Sequence, residues 1–146
     1  MQQTKSEGAE KAGHGKYHFF MKNLKNVEVG TGYSTAHGGV VEGDRMLVGY
    51  VKKERGTGSR PHKHPNEQFN YVLEGTLRVE VDGQTFLAPE GTLIYFPANV
   101  VHATVATAEK DVLFLEIKDL SQGIVGLAAD GTMAGPHYDA GFEPRK

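Results

Sequence analysis

Residues 56–75 read GTGSRPHKHPNEQFNYVLEG and gather four side chains that can bind a metal ion. His62 and His64 lie two positions apart, and Glu67 and Gln68 follow at the start of a strand-like run. Residues two apart on a β-strand point to the same face, so His62, His64 and Gln68 share one direction. Glu67 has the opposite parity and, unless a bulge intervenes, points away. We expect a site that uses His62, His64 and Gln68, with Glu67 outside the ligand set.

A third imidazole is available in TLIYFPANVVH, residues 92–102, where His102 follows a turn formed by Pro97 and Asn99. Imidazole nitrogen is the commonest protein ligand for borderline transition metals. We therefore expect one divalent transition metal, for which Fe, Mn, Ni, Zn and Cu are all possible.

Size and charge exclude several classes of protein. The chain has 146 residues, the size of one domain, with 16 Lys and Arg against 18 Asp and Glu. This balance argues against a nucleic-acid or anionic-membrane partner. The N-terminus lacks the apolar core of a signal peptide, and the absence of cysteine excludes disulfides and thiol catalysis. We expect a cytoplasmic protein that binds a small molecule.

Short runs rich in Val, Leu, Phe, Tyr and Thr alternate with Gly, Pro, Asn and Asp along most of the chain. They lie at 46–53, 69–75, 76–83, 84–91, 92–100, 102–108 and 111–119. Asp82-Gly83 is a strong two-residue hairpin signal, and no stretch keeps a helical period. The pattern predicts an all-β sandwich or barrel of roughly eight to ten strands.

The domain organisation follows from composition. Residues 1–16 are polar and without period, which predicts a flexible N-terminal arm. Residues 17–119 form the barrel, and residues 120–146 form an irregular, Gly-rich C-terminal tail. Within that tail, we interpret His137 and Tyr138 as surface residues rather than as groups that close a pocket.

The two histidine-bearing stretches resemble the paired motifs of the cupin superfamily. The first, G-x5-H-x-H-x3-[E/Q]-x6-G, is met by Gly56, His62, His64, Gln68 and Gly75. The second, G-x5-P-x-[GN]-x2-H, is met by Gly91, Pro97, Asn99 and His102. Both occur in order with a short spacing between them. The resemblance implies a cupin jelly-roll barrel, or double-stranded β-helix, that holds one metal through His62, His64, Gln68 and His102.

Gln68 stands where a carboxylate is common in that family. A neutral amide oxygen leaves the full charge on a bound divalent ion, which makes the ion a stronger Lewis acid and harder to oxidise. This favours a metal-dependent lyase or isomerase acting on a small carbonyl or carboxylate compound. A cupin dioxygenase and a non-catalytic cupin that binds a small ligand are the alternatives.

Two further residues are candidates for substrate binding. Arg60, just before Pro61 and His62, can meet an anionic substrate at the barrel mouth, although it can equally be a solvated loop charge. Asn70 shares the inward parity of Gln68, so it lines the cavity or bonds a neighbouring strand.

The resemblance also implies a homodimer. The apolar segment Tyr17–Met21 is a candidate edge strand that pairs with a second subunit, since exposed sheet edges are usually covered.

Overall fold

The computed structural model describes residues 4–120, 127–131 and 135–144. Within these ranges the chain forms fourteen strands and one 3-10 helix, Met21–Asn23. The strands are β1 (Glu10–Lys11), β2 (Val27–Glu28), β3 (His37–Glu42), β4 (Met46–Lys53), β5 (Thr57–Gly58), β6 (His62–Lys63), β7 (Gln68–Glu74), β8 (Leu77–Val81), β9 (Gln84–Ala88), β10 (Leu93–Phe96), β11 (His102–Ala106), β12 (Val112–Asp119), β13 (Leu127–Ala128) and β14 (His137–Tyr138). No helix in the described part of the chain is long and apolar enough to span a membrane.

The strands form two sheets that face each other as a jelly-roll barrel, so the predicted all-β fold is confirmed. The first sheet has the order β1-β3-β4-β12-β7-β10, with β2 also paired to β3. The second has the order β13-β6-β11-β5-β14, with β8 on the other side of β11 and β9 beyond β8. The two sheets enclose the core between their inner faces.

The inner face of the first sheet changes from apolar to polar along its strands. On β12 the alternate buried residues run from Val112 and Phe114 to Glu116 and Lys118. On β7 the buried positions behave in the same way, with Val72 apolar and both Gln68 and Asn70 polar. The apolar part packs against the second sheet, and each fully buried Val or Leu there contributes about 1.5–3 kcal/mol. The polar part leaves one end of the barrel interior lined with hydrogen-bonding groups.

Most of the predicted strands match the structure within a few residues. The runs at 46–53 and 111–119 correspond to β4 and β12, and the five runs between them contain β7 to β11. The hairpin signal at Asp82-Gly83 is confirmed, because these two residues connect β8 to β9 with φ values of 49° and 77°. Positive φ at both central residues matches the right-handed twist of the flanking strands.

Residues 30–39, GTGYSTAHGG, have the composition of a loop but are only partly one. β3 begins at His37 and continues through the two glycines of that stretch. A Cβ on Gly38 would lie 2.0 Å from the backbone oxygen of Tyr50 on β4. Close packing of the two strands therefore requires glycine at position 38. In the sequence, the same glycine is typical of a loop.

Among the described residues, the candidate edge strand Tyr17–Met21 pairs with no other strand, and its pairing with a second subunit stays a prediction. Its first four residues form no strand, Tyr17 and Phe20 are exposed, and Met21 begins the 3-10 helix. One edge of the first sheet is β1, which lies parallel to β3. Residues 4–16, assigned to a flexible arm, include β1, and both carboxylate oxygens of Glu42 accept backbone N–H bonds from Lys5 and Ser6.

Two parts of the predicted C-terminal tail extend the second sheet. β13 pairs with β6, and β14 pairs with β5, where His137 lies opposite Gly58. The rest of the predicted tail lies partly outside the described residues, at 121–126, 132–134 and 145–146.

Candidate metal centre

Three histidines meet inside the barrel. His62 on β6 and His102 on β11 are paired neighbours in the second sheet, and their ring centroids lie 4.3 Å apart. His64 follows β6, with its ring 4.9 Å from that of His102 and 6.0 Å from that of His62. One nitrogen of each ring lies within 4.8 Å of the others, and all three side chains are buried. A single ion can therefore contact all three rings.

Backbone carbonyls fix the orientation of each ring. The Nδ1 atoms of His62, His64 and His102 lie at hydrogen-bond distance from carbonyl oxygens. The carbonyls belong to Arg60, Asn66 and Val100, at 2.8, 2.9 and 2.9 Å, respectively. A carbonyl only accepts, so Nδ1 carries the proton and donates, which leaves a lone pair on Nε2. Histidines that bind metals are usually held in this way.

Burial keeps the three imidazoles neutral. Desolvation lowers the pKa of His62 well below its ordinary value, and it lowers the pKa of His64 as well. It also lowers the pKa of His102 to about 3, with the neighbouring His64 adding a smaller effect in the same direction. Neutral imidazole is the form that binds a metal, so protons compete weakly with an ion at neutral pH.

Four buried polar atoms around this point have no hydrogen-bond partner among the described residues. They are His64 Nε2, His102 Nε2, Gln68 Oε1 and Glu116 Oε2. Buried polar atoms are nearly always satisfied, and a missing ion or water is a usual explanation when they are not. The donor set of imidazole nitrogens and an amide oxygen fits a divalent transition metal.

Gln68 presents its amide oxygen rather than its nitrogen. Its Nε2 donates to Asn70 Oδ1 at 2.7 Å and to Glu116 Oε1 at 3.0 Å. Both partners accept at these atoms, so the amide nitrogen is committed and Oε1 is left for the cavity. Asn70 lines the cavity as expected, and it holds Gln68 in place.

His62, His64 and Gln68 all point inward and Glu67 points outward, as expected from parity, but the three inward residues do not lie on one strand face. His62 belongs to the second sheet, whereas Gln68 begins β7 in the first sheet. The chain crosses between the sheets through residues 64–67, so the side chains approach from two walls of the barrel. Glu67 is exposed, and its carboxylate accepts a hydrogen bond from Tyr95, so it lies outside the cluster.

Other motif residues shape the backbone. Asn99 has φ of 62°, a left-handed conformation that asparagine tolerates, and its N–H donates to the carbonyl of His64 at 2.8 Å. This bond joins the turn before His102 to the segment that carries His64. Gly75 has φ of 80°, and a Cβ there would lie 2.6 Å from the backbone oxygen of Asp111. The turn after β7 therefore requires glycine.

Three charged residues that the sequence analysis did not single out line the same cavity. Lys53, Glu116 and Lys118 are each no more than 5% exposed. All three occupy inward-facing positions of β4 or β12, in alternation with outward-facing residues. This alternation was the sequence signal that could have identified them. A charge at an inward strand position is uncommon and marks a polar interior. The small cavity has about 30 Å³ available to a water-sized group.

Arg60 does not line that cavity. Its Nε donates to the carbonyl of Gly135 at 2.6 Å, and its Nη1 pairs with Asp130 at 2.8 Å. These contacts attach the C-terminal part of the chain to the segment before β6. A role for Arg60 in substrate binding stays a prediction. His137 and Tyr138, on β14, are likewise outside the residues that line the cavity.

Comparisons with known proteins agree with this architecture. A family model described as the cupin domain matches residues 49–118. Dimethylsulfoniopropionate lyase DddW of Ruegeria pomeroyi is 34% identical over 64 residues, which are 44% of this chain and 42% of that relative. The match therefore spans less than half of the relative's length.

Two solved structures share the fold over most of their length. A polyketide cyclase, RemF, from Streptomyces resistomycificus matches with a TM-score of 0.63 and 21% identity, covering 72% of this chain and 80% of that one. An RmlC-like cupin from Shewanella frigidimarina matches with a TM-score of 0.61 and 18% identity, covering 73% and 92%. At such identities the likeness shows the fold. Residues 49–118, which match the cupin domain, carry both histidine motifs inside the barrel, and the barrel has the fold of these two solved structures.

Proposed function

We propose that the protein binds one divalent transition metal through His62, His64, His102 and Gln68, and acts as a metal-dependent lyase or isomerase. The substrate class is a small oxygen-rich molecule that carries a carbonyl or carboxylate group. The observation that carries this proposal is the convergence of three neutral imidazoles, each with Nδ1 bound to a carbonyl and Nε2 left for an ion.

A bound ion in this position supplies Lewis-acid polarisation of a substrate oxygen. The chain supplies the surroundings. The neutral amide of Gln68 adds no negative charge to the ligand set, so the ion's charge is left for the substrate. The aromatic rings of Tyr33 and Phe96 lie 4.2 and 4.5 Å from those of His62 and His102 and exclude water from one side of the imidazoles. Low exposure to water strengthens every electrostatic interaction in the cavity.

The charged lining favours an enzyme over a binding module. A purely binding cupin does not need ionisable groups beside the metal, whereas a lyase or isomerase moves protons. Glu116 and Lys53 are buried ionisable groups in the same cavity as Gln68. The similarity to a lyase over 64 residues supports the lyase reading specifically.

The alternative is a dioxygenase, because neutral ligand sets also support oxygen chemistry. The two reactions differ in a direct observable, since only the dioxygenase consumes oxygen along with substrate. A binding module would show retention of a ligand without turnover.

The test is turnover by protein reconstituted separately with Mn(II), Fe(II), Ni(II) and Zn(II). Candidate substrates are dimethylsulfoniopropionate, small keto acids and uronic-type sugars, with substrate loss followed by proton NMR and an oxygen electrode in line. We expect metal-dependent loss of one substrate class under argon, abolished in His102→Ala and retained in the exposed control His18→Ala. Substrate loss that requires oxygen would replace the proposal with a dioxygenase. If no substrate is consumed with any of the four metals, the result would support the binding module.

A further inference from the structure

The cavity beside the three histidines contains more positive than negative charge. Lys53 and Lys118 are 3% exposed and Glu116 is 5% exposed, and all three line it. These are the only ionisable Lys, Arg, Asp or Glu side chains among the described residues that line this cavity. With both amines protonated they contribute two positive charges and one negative charge, before any metal adds two more.

Lys53 has a hydrogen bond to spare. Its Nζ donates to the backbone oxygen of Thr104 at 2.8 Å and to the hydroxyl of the same residue. An ammonium has three N–H donors, so one remains beyond these two bonds. Thr104 therefore holds the ammonium group of Lys53 at the cavity wall but accepts only two of its three possible hydrogen bonds.

Lys118 is also incompletely neutralised. Its Nζ lies 3.7 Å from Glu116 Oε1, which is longer than a hydrogen bond. That oxygen already accepts a hydrogen bond from Gln68 Nε2 at 3.0 Å. A buried charge without a close partner is costly, so one carboxylate shared between two ammonium groups leaves a place for a second anion.

We propose that Lys53 and Lys118 form an anion subsite that binds a carboxylate group of the substrate next to the metal. This inference rests on the proposed metal-dependent function and narrows its substrate class to small carboxylic acids with a second oxygen for the metal. The volume of about 30 Å³ that is available to a water-sized group limits the anion to a small one, and a carboxylate is such a group.

Desolvation agrees with this assignment. Burial lowers the pKa of Lys53 to about 7, with the carboxylate of Glu116 acting in the opposite direction. An anion placed beside the amine would stabilise the charged form, as opposite charges do for any buried base.

The experiment compares glycolate with glycolamide, which has nearly the same shape and no charge. Both are titrated by calorimetry into protein loaded with Zn(II), as the wild type and as Lys53→Met and Lys118→Met. The metal alone also favours the anion, so the decisive quantity is the change caused by each substitution. Metal content is measured in every sample by mass spectrometry.

We expect each lysine substitution to weaken glycolate binding by at least fivefold while glycolamide binding changes less than twofold. Lys63→Met is the matched control, because Lys63 is exposed on β6 between two of the proposed ligands and should leave both affinities unchanged. If a methionine variant fails to fold, Lys53→Gln and Lys118→Gln take its place.

Two negative outcomes are distinguishable. Full metal content with glycolate affinity unchanged in both lysine variants would overturn the anion subsite and leave the metal proposal standing. Loss of metal binding by the wild type itself would overturn the proposed function, and the subsite with it.

Discussion

Gln68 Nε2 donates a hydrogen bond to Glu116 Oε1 at 3.0 Å, across the boundary between β7 and β12 inside the barrel. This contact gives a physical reason for an amide at a position where related motifs often carry a carboxylate. A carboxylate at position 68 would face Glu116 at hydrogen-bond distance without a proton to share. The Gln68 amide nitrogen instead donates a hydrogen bond to Glu116, and the amide oxygen faces the cavity.

The first prediction concerns Gln68→Glu. We expect the metal-free variant to lose about 1–3 kcal/mol of unfolding free energy, because two buried carboxylates replace a donor–acceptor pair. Divalent metal should stabilise this variant more than it stabilises the wild type, since the added negative charge faces the ion. Urea unfolding with and without Zn(II) measures both effects. A metal-free variant as stable as the wild type would show that the Gln68–Glu116 bond is unimportant.

The second prediction concerns acid stability of the metal-free protein. The folded pKa of His102 is about 3, whereas in an unfolded chain it is about 6.5, so below pH 6.5 the unfolded state binds more protons. Stability should therefore fall as pH decreases from 6.5, by about 1.4 kcal/mol per pH unit for this histidine. Lys53, whose folded pKa is about 7, adds to the decrease mainly between pH 7.5 and 6.5 and little below pH 6, where it is protonated in both states.

Urea unfolding at pH 7.5, 6.5 and 5.5 checks the slope, with His102→Asn as the comparison. The substitution should remove the contribution of one histidine from the decrease of unfolding free energy with falling pH. An identical slope in wild type and variant would contradict the assignment of a neutral, buried His102. His37→Asn is the control, because His37 lies at the surface with Glu54 as its partner.

The third prediction concerns the packing beneath the histidines. Phe96 is fully buried, and its ring lies 4.5 Å from that of His102. We expect Phe96→Ala to cost about 3–5 kcal/mol of unfolding free energy and also to weaken metal binding, since the imidazole loses its support. Phe20→Ala is the matched control at a site 67% exposed, and should change neither quantity. Unaltered metal affinity in a folded Phe96→Ala protein would contradict the claim that the Phe96 ring supports His102 for metal binding.

The fourth prediction concerns assembly. β10 is an edge strand of the first sheet, and it carries the exposed residues Leu93 and Tyr95 beside Tyr71 and Phe69 of β7. Exposed apolar surface on a sheet edge is typical of an interface. We expect light scattering to report twice the 15.9 kDa chain mass, and Leu93→Lys to shift the protein towards the monomer. A monomer at micromolar concentration in the wild type would contradict the homodimer.

The cluster of three histidines could be predicted from sequence because spacing in a cupin motif encodes it. His62, His64 and His102 were identified by their intervals, and the structure brings them together. The stated reason, one shared strand face, was wrong for Gln68, because the chain passes from one sheet to the other after His64. The inward direction of His62, His64 and Gln68 was nevertheless correct, because burial alternates from His62 through to Asn70.

The charged lining could not be predicted with the same ease. Lys53, Glu116 and Lys118 lie on strands that were correctly located, at positions whose inward direction was available from alternation. What the pattern could not supply was which ends of these strands meet the histidines, since that depends on pairing between β12, β4 and β7. The two-residue strands β1, β2, β5, β6, β13 and β14 are fixed by such pairings rather than by local propensity.

The most direct test of the central claim is the metal content of the protein purified without chelators and then reconstituted with Zn(II). Elemental mass spectrometry should find about one ion per chain in the wild type and in His18→Ala, as one site per barrel requires. We expect His62→Ala and His102→Ala to lose most of that metal while remaining folded by circular dichroism. Equal metal content in all four proteins would contradict the assignment of the three buried histidines as the metal site.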